Sequence, residues 1–136
     1  MTIIFCISFL YACKKSKDDV SAPTILGKWK QTSGAYSPAY FNETDYFSSY
    51  APCEKDDIIE FKSNGSFEYS EGASKCDPGD PQVFLTGPYN VNSNLASINV
   101  NGETSSIELT AATLKVTHPF SDAGVTYSEV MTFQRQ

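Results

Sequence analysis

Histidine is the side chain that most readily gives and takes a proton near neutral pH, and this 136-residue chain holds one, His118, followed by Pro119. Catalytic histidines work in company. The sequence has no Gly-x-Ser-x-Gly elbow and no His-Glu-x-x-His helix, so His118 reads as a structural residue at a strand end. The chain is therefore expected to be a non-enzyme, with no catalytic residue, no cofactor and no metal site. Asp77-Pro78-Gly79-Asp80-Pro81 brings two carboxylates close together, with Glu54, Asp56 and Asp57 as neighbours to consider. Calcium would need more oxygen ligands than these two supply, and Asp, Pro and Gly are the ordinary material of turns. The third group is aromatic. Tyr36, Tyr40, Phe41, Tyr46, Phe47 and Tyr50 crowd residues 34–55. Rings on a long loop serve either as a lid or stacking platform for a ligand, or as a plug that buries its own surface. Tyr40, Phe41, Tyr46 and Phe47, in the middle of the segment, are the candidate ligand-binding residues.

The elements that must hold these side chains are short. Runs rich in Val, Ile, Thr, Phe and Tyr, separated by turn residues, predict strands near 25–33, 56–62, 66–72, 83–91, 95–100, 105–110, 113–118 and 125–134. Ser63-Asn64-Gly65, Asn92-Ser93-Asn94, Asn101-Gly102, Ala111-Ala112 and the segment Ser121 to Gly124 punctuate them. Connections of hairpin size pair sequence neighbours antiparallel. About eight strands in simple succession close into an up-and-down barrel, which leaves no exposed edges. The predicted fold is thus all-β, an eight-stranded antiparallel up-and-down barrel.

One hairpin fixes its own register. A two-residue Asn64-Gly65 turn would oppose Phe61 to Glu68 and mix the faces. A three-residue Ser63-Asn64-Gly65 loop, with Gly65 in the left-handed region, opposes Phe61 to Phe67 and Ile59 to Tyr69. All the large side chains then share a face, which selects the second register.

The first residues are of another kind. Ile3 to Leu10 is an apolar run too short to span a bilayer, and Leu10-Tyr11-Ala12-Cys13 closes it. The segment resembles a bacterial lipoprotein signal peptide with its Leu-x-(Ala/Gly)-Cys box. That resemblance implies cleavage before Cys13, lipidation of Cys13 and durable anchoring to a membrane by several acyl chains. Residues 1–12 would be the signal peptide and 13–23 a tether. Lys17-Asp18-Asp19 is similar to the signal that sends some lipoproteins to the cell surface, and reads equally as a soluble spacer. The expected location is the outer membrane, at its periplasmic face or at the cell surface.

Ten basic and sixteen acidic residues give a net charge of -6, all of it after Cys13. That charge argues against nucleic acid as a partner. With Cys6 in the leader and Cys13 lipidated, Cys53 and Cys76 remain as a pair in an oxidising compartment. Their spacing lacks the close pairing of a zinc site. The chosen hairpin register, run outward, brings Cys53 within one residue of facing Cys76, so a disulfide between them is expected.

Gly27-Lys28-Trp29 on the first strand and Thr132-Phe133-Gln134-Arg135 on the last complete the pattern, together with the aromatic-flanked hairpin Phe61-Lys62-Ser63-Asn64-Gly65-Ser66-Phe67. The chain resembles the short lipocalin-like domains of Bacteroidota lipoproteins, over nearly all of residues 24–136. The resemblance implies a barrel closed by Gly27, Trp29 and Arg135, with the Arg135 guanidinium packed over the Trp29 ring, and an apolar cavity that can be small. It implies a non-catalytic envelope lipoprotein that binds a small apolar or amphipathic molecule at the barrel mouth. The alternative is a structural or protein-interaction module of an envelope complex, its barrel filled by Phe61, Phe67, Tyr69, Tyr89, Met131 and Phe133. Its partners would be the membrane through Cys13, and a small hydrophobic ligand or an envelope protein.

Overall fold

The alternating runs pair as one antiparallel meander. In a computed structural model, which describes residues 22–136, the strands are β1 (Gly27–Tyr40), β2 (Glu43–Asp45), β3 (Ile58–Phe61), β4 (Ser66–Ser70), β5 (Val83–Val91), β6 (Ser97–Val100), β7 (Glu103–Leu109), β8 (Thr113–Asp122) and β9 (Val125–Arg135). The leader, Cys13 and most of the tether lie outside the described residues. Strands β3 to β9 pair in sequence order, β1 pairs with β3, and β1 also pairs with β9. Eight strands thereby close an up-and-down barrel, as predicted. The short β2 folds back on the upper part of β1.

The β3–β4 hairpin has the predicted register, Phe61 opposite Phe67 and Ile59 opposite Tyr69, and Gly65 sits at φ 80°. The barrel floor is built from the two chain ends. Trp29 is fully buried, and its indole N–H donates to the Ile25 carbonyl at 2.7 Å. The Arg135 guanidinium lies 4.1 Å from the Trp29 ring centroid. Its Nη1 donates to the Leu26 carbonyl at 2.7 Å, its Nε to the Ala111 carbonyl at 2.8 Å, and its Nη2 to the Thr24 carbonyl. One cation thus stacks on the indole and satisfies three otherwise unpaired carbonyls, which a lysine point charge could not do. Gly27 permits this approach, since a Cβ there would stand 3.1 Å from Arg135 Nη1. Above this floor, Phe61, Phe67, Ile98, Ile107, Leu114 and Phe133 form the buried core.

Two strand lengths depart from the sequence pattern, and together they shape the upper half of the barrel. β1 was expected to end near residue 33 but runs to Tyr40. The small-residue stretch Ser33 to Ala39 reads as loop by composition, yet β9 offers it partners as far as Ser128, opposite Ser37, and tertiary pairing overrides weak strand propensity. Residues 34–55 are therefore a strand extension, a hairpin, a single 3-10 turn at Phe47–Ser49 and a short connection. β8 likewise runs through Pro119 to Asp122, so His118 lies within a strand rather than at its end. Pro119 is tolerated there because β8 pairs with β7 only from Leu114 to Thr117, and beyond that only with β9. A proline costs no ladder bond on an open side.

Between β5 and β8 the wall is low. β6 pairs with β5 only at Tyr89 to Val91, and the β6–β7 hairpin turns at Asn101-Gly102, where the Asn101 N–H donates to the Pro88 carbonyl at 3.1 Å. The upper part of β5 faces the upper part of β8 across a gap that the short hairpin does not fill.

Candidate functional site

Strand alternation delivers the site. On β8, Leu114, Val116 and His118 share the inward face; on β7, Glu103, Ser105 and Ile107 do; on β9, Phe133 and Met131. Inside the upper half of the barrel these faces enclose a cavity of about 300 Å³, at the small end of the range for small-molecule sites. Its wall is mainly apolar, from Ile59, Phe61, Ile98, Val100, Leu114, Val116, Met131 and Phe133. Its polar members are Gln31, Tyr69, Glu103, Ser105 and His118.

These polar groups are ordered. The Ser105 hydroxyl is hydrogen-bonded to His118 Nδ1 at 3.1 Å, and Ser105 itself is buried. Gln31 is also buried, and its amide donates to the Ser33 carbonyl at 3.1 Å, across the point where β1 slips register against β9. Burial, and then the charges of Asp57 and Tyr50, push the Tyr69 hydroxyl up to about 12, so it stays a neutral hydrogen-bonding group. Among the described residues, no lysine or arginine lines the cavity.

The mouth carries the aromatics. Tyr46 is buried and lies on Gly34, where any Cβ would fall within 2.5 Å of its ring. Burial first, and then the Glu129 carboxylate, raise its pKa. Burial followed by the charge of Glu129 raises that of Tyr36 also. Glu129 is opposite the inward His118 on β8, and cross-strand partners share a face, so it lies on the inner side of the rim. Tyr40 packs edge-on against Phe120 and Tyr127, at 5.2 and 5.0 Å between ring centroids, and against Phe41 at 4.5 Å. Phe47 packs on Tyr50 at 5.5 Å and lies under the Lys55 ammonium at 5.6 Å.

The four aromatics singled out in the sequence are thus divided among different roles. Tyr46 covers the mouth, Tyr40 joins the ring cluster on the β1, β8 and β9 extensions, Phe47 packs outside, and Phe41 is 82 % exposed at the hairpin tip. None of the four is among the cavity-lining residues. Those that do line it with polar atoms, Gln31, Glu103, Ser105 and His118, were missed as a group. The signal was present: a polar residue at an inward position of an otherwise apolar alternation, as His118 follows Leu114 and Val116.

Cys53 and Cys76 are bonded, with Cα atoms 5.2 Å apart, and tie the upper ends of the β3–β4 hairpin. Glu54, Asp57, Glu71 and Asp80 border the depression beside Cys76. Among the described residues no three His, Cys, Asp or Glu side chains are grouped to hold a metal ion. Burial first, and then the charge of Glu71, push the Asp57 carboxyl up to about 6.

A closed eight-stranded barrel with an internal apolar cavity and a Gly-x-Trp/Arg floor defines a class, the small calycin-type barrel. Residues 25–116 match the lipocalin-like domain family, and the chain belongs to that family. No curated protein matches it.

Proposed function

We propose that this protein is a non-catalytic, lipid-anchored lipoprotein of the outer membrane that holds a small, largely apolar molecule inside its barrel. The observation that carries the binding half is the cavity: about 300 Å³, apolar along most of its wall, with Ser105, His118 and Gln31 as its fixed polar groups. Packed barrels fill such space with side chains, and here Phe61, Phe133 and Leu114 fill only the lower part. The anchoring half rests on the sequence around Cys13.

Each half has its own test. Native mass spectrometry of the protein extracted from its own membranes should show an adduct of constant mass, absent from a Val116→Trp variant that fills the cavity. Bare protein in both preparations would count against binding. For the anchor, labelling with an alkyne fatty acid should mark the wild type and not Cys13→Ser, which should also remain uncleaved. Labelling that persists in the variant would refute lipidation at Cys13.

A second reading, a protein-interaction module, is favoured by one observation. Phe41 stands almost fully exposed with φ at 47°, a conformation unfavourable for a bulky residue, and exposed rings at a rim attract partners.

A further inference from the structure

The cavity has a top, a bottom and a side entrance, and the chemistry of each differs. At the bottom, Phe61, Leu114 and Phe133 are apolar and buried. Ser105 and His118 stand higher: Ser106 opposite Thr117 is the topmost pair of the β7–β8 ladder, and His118 is the first β8 residue with no β7 partner. Glu103 begins β7 just past the Asn101-Gly102 turn, on the sill of the gap between β5 and β8. On the far side of that gap stands Leu85, apolar and exposed. Leu85 is opposite Tyr69, and cross-strand partners share a face, so Leu85 continues the cavity wall outward.

We infer that ligand enters over the β6–β7 hairpin and lies tail-down on the apolar floor, with an uncharged hydroxyl-type head between Ser105, His118 and Glu103, and that the site rejects carboxylates. This rests on the binding reading above and specifies its ligand class. The argument is one of charge. A carboxylate head would be desolvated with no lysine or arginine among the described lining residues to receive it. It would also meet the Glu103 carboxylate at the entrance, with Glu129 on the rim above. A hydroxyl has neither cost: it can donate to one partner and accept from another, and one ring nitrogen of His118 remains for it after Ser105 takes Nδ1. The volume limits the ligand to a short chain or a ring or two.

The chain holds only two methionines, Met1 and Met131, and Met131 lines the cavity. Its labelled methyl group is therefore an internal reporter in the full chain, here reconstituted in lipid nanodiscs. Titration with 1-octanol at pH 7.5 should shift the Met131 methyl resonance saturably, and octanoate should require at least about a tenfold higher concentration, as a like charge near a partly solvated rim imposes. Glu103→Lys, a change at an exposed position, should abolish or invert that preference. Equal responses to the two ligands in the wild type would overturn the inference while leaving the binding reading intact. So would an unchanged preference in Glu103→Lys with the barrel still folded, because Glu103 would then not face the head group. A Met131 methyl that neither compound moves would overturn the binding reading itself, and this inference with it.

Discussion

At the scale of single residues, the barrel depends most on Trp29 and Arg135. The indole is fully buried and carries the guanidinium on its face, so Trp29→Ala removes packing, a stacked cation and the lock between first and last strands. The expected loss is about 3–5 kcal/mol, read as a lower urea midpoint. A loss below about 1 kcal/mol would mean that the floor is held by β1–β9 pairing alone. Asp57 acts in the opposite sense. Its carboxyl is pushed up to about 6 by burial and Glu71, above the ordinary unfolded value near 3.9, and one of its oxygens is buried without a partner. A raised carboxylate favours the folded state below the unfolded value, and that advantage is lost as pH rises through about 6. Asp57→Asn should therefore stabilise the protein at pH 7–8 by about 1 kcal/mol, after allowing for solvent screening of a partly exposed site. The gain should disappear toward pH 4. Thermal melts of both proteins across this range would show it, and a gain independent of pH would point to packing instead. Trp29 and Arg135 were legible in the sequence because both belong to one recurrent pattern. Asp57 was not, because its shift comes first from burial and then from Glu71, and both arise only when β3 and β4 pair.

At the scale of elements, legibility follows how local the determinants are. The Ser63-Asn64-Gly65 hairpin was readable because its register is settled by which large side chains share a face within seven residues. The extension of β1 was not, because its strand character comes from β9, nearly a hundred residues away in the chain; that of β8 was masked instead by Pro119 and by Ser121-Asp122, which read as a strand end and a turn although β9 pairs with them. The same distinction explains the cavity: its polar members come from β1, β4, β7 and β8, and no local motif groups them. The β1–β2 hairpin is the element most at odds with its own sequence. Its turn holds Phe41 at φ 47° and Asn42 at φ 66°, both in the left-handed region that two-residue hairpin turns demand. Asn accepts that region readily and Phe does not. Phe41 is 82 % exposed, so little burial is lost on replacing it. Phe41→Asn is expected to raise stability by about 0.5–1 kcal/mol, seen as a higher melting temperature. If the melting temperature falls instead, the 4.5 Å contact between Phe41 and Tyr40 outweighs the turn strain, and the ring cluster is structural rather than a surface kept for a partner.

At the scale of the whole molecule, the chain path relates the proposed anchor to the cavity. The described chain enters at the floor, where Arg135 ties the Thr24 and Leu26 carbonyls, whereas the gap above the β6–β7 hairpin and the rim of aromatics lie toward the other end. β9, with its 11 residues, gives the barrel wall a height of about 35 Å. If Cys13 carries the proposed anchor, the segment from Cys13 to Pro23 spans at most about 35 Å fully extended. On the proposed anchoring, the floor therefore stays near the lipid headgroups and the cavity opens away from the bilayer. Its ligand would arrive from the aqueous side or from another protein, not by extraction from the membrane beneath. The hairpin tips provide the measurement: Asn64 turns at the floor between β3 and β4, and Gly124 turns at the rim between β8 and β9. A fluorophore on Asn64→Cys in the lipidated protein should be quenched strongly by headgroup-labelled lipid, and one on Gly124→Cys only weakly. Equal quenching would mean that the barrel lies on its side, with the gap between β5 and β8 able to face the membrane. Ligand exchange with the bilayer would then be the expected route, since the exposed Leu85 at that gap would meet lipid directly.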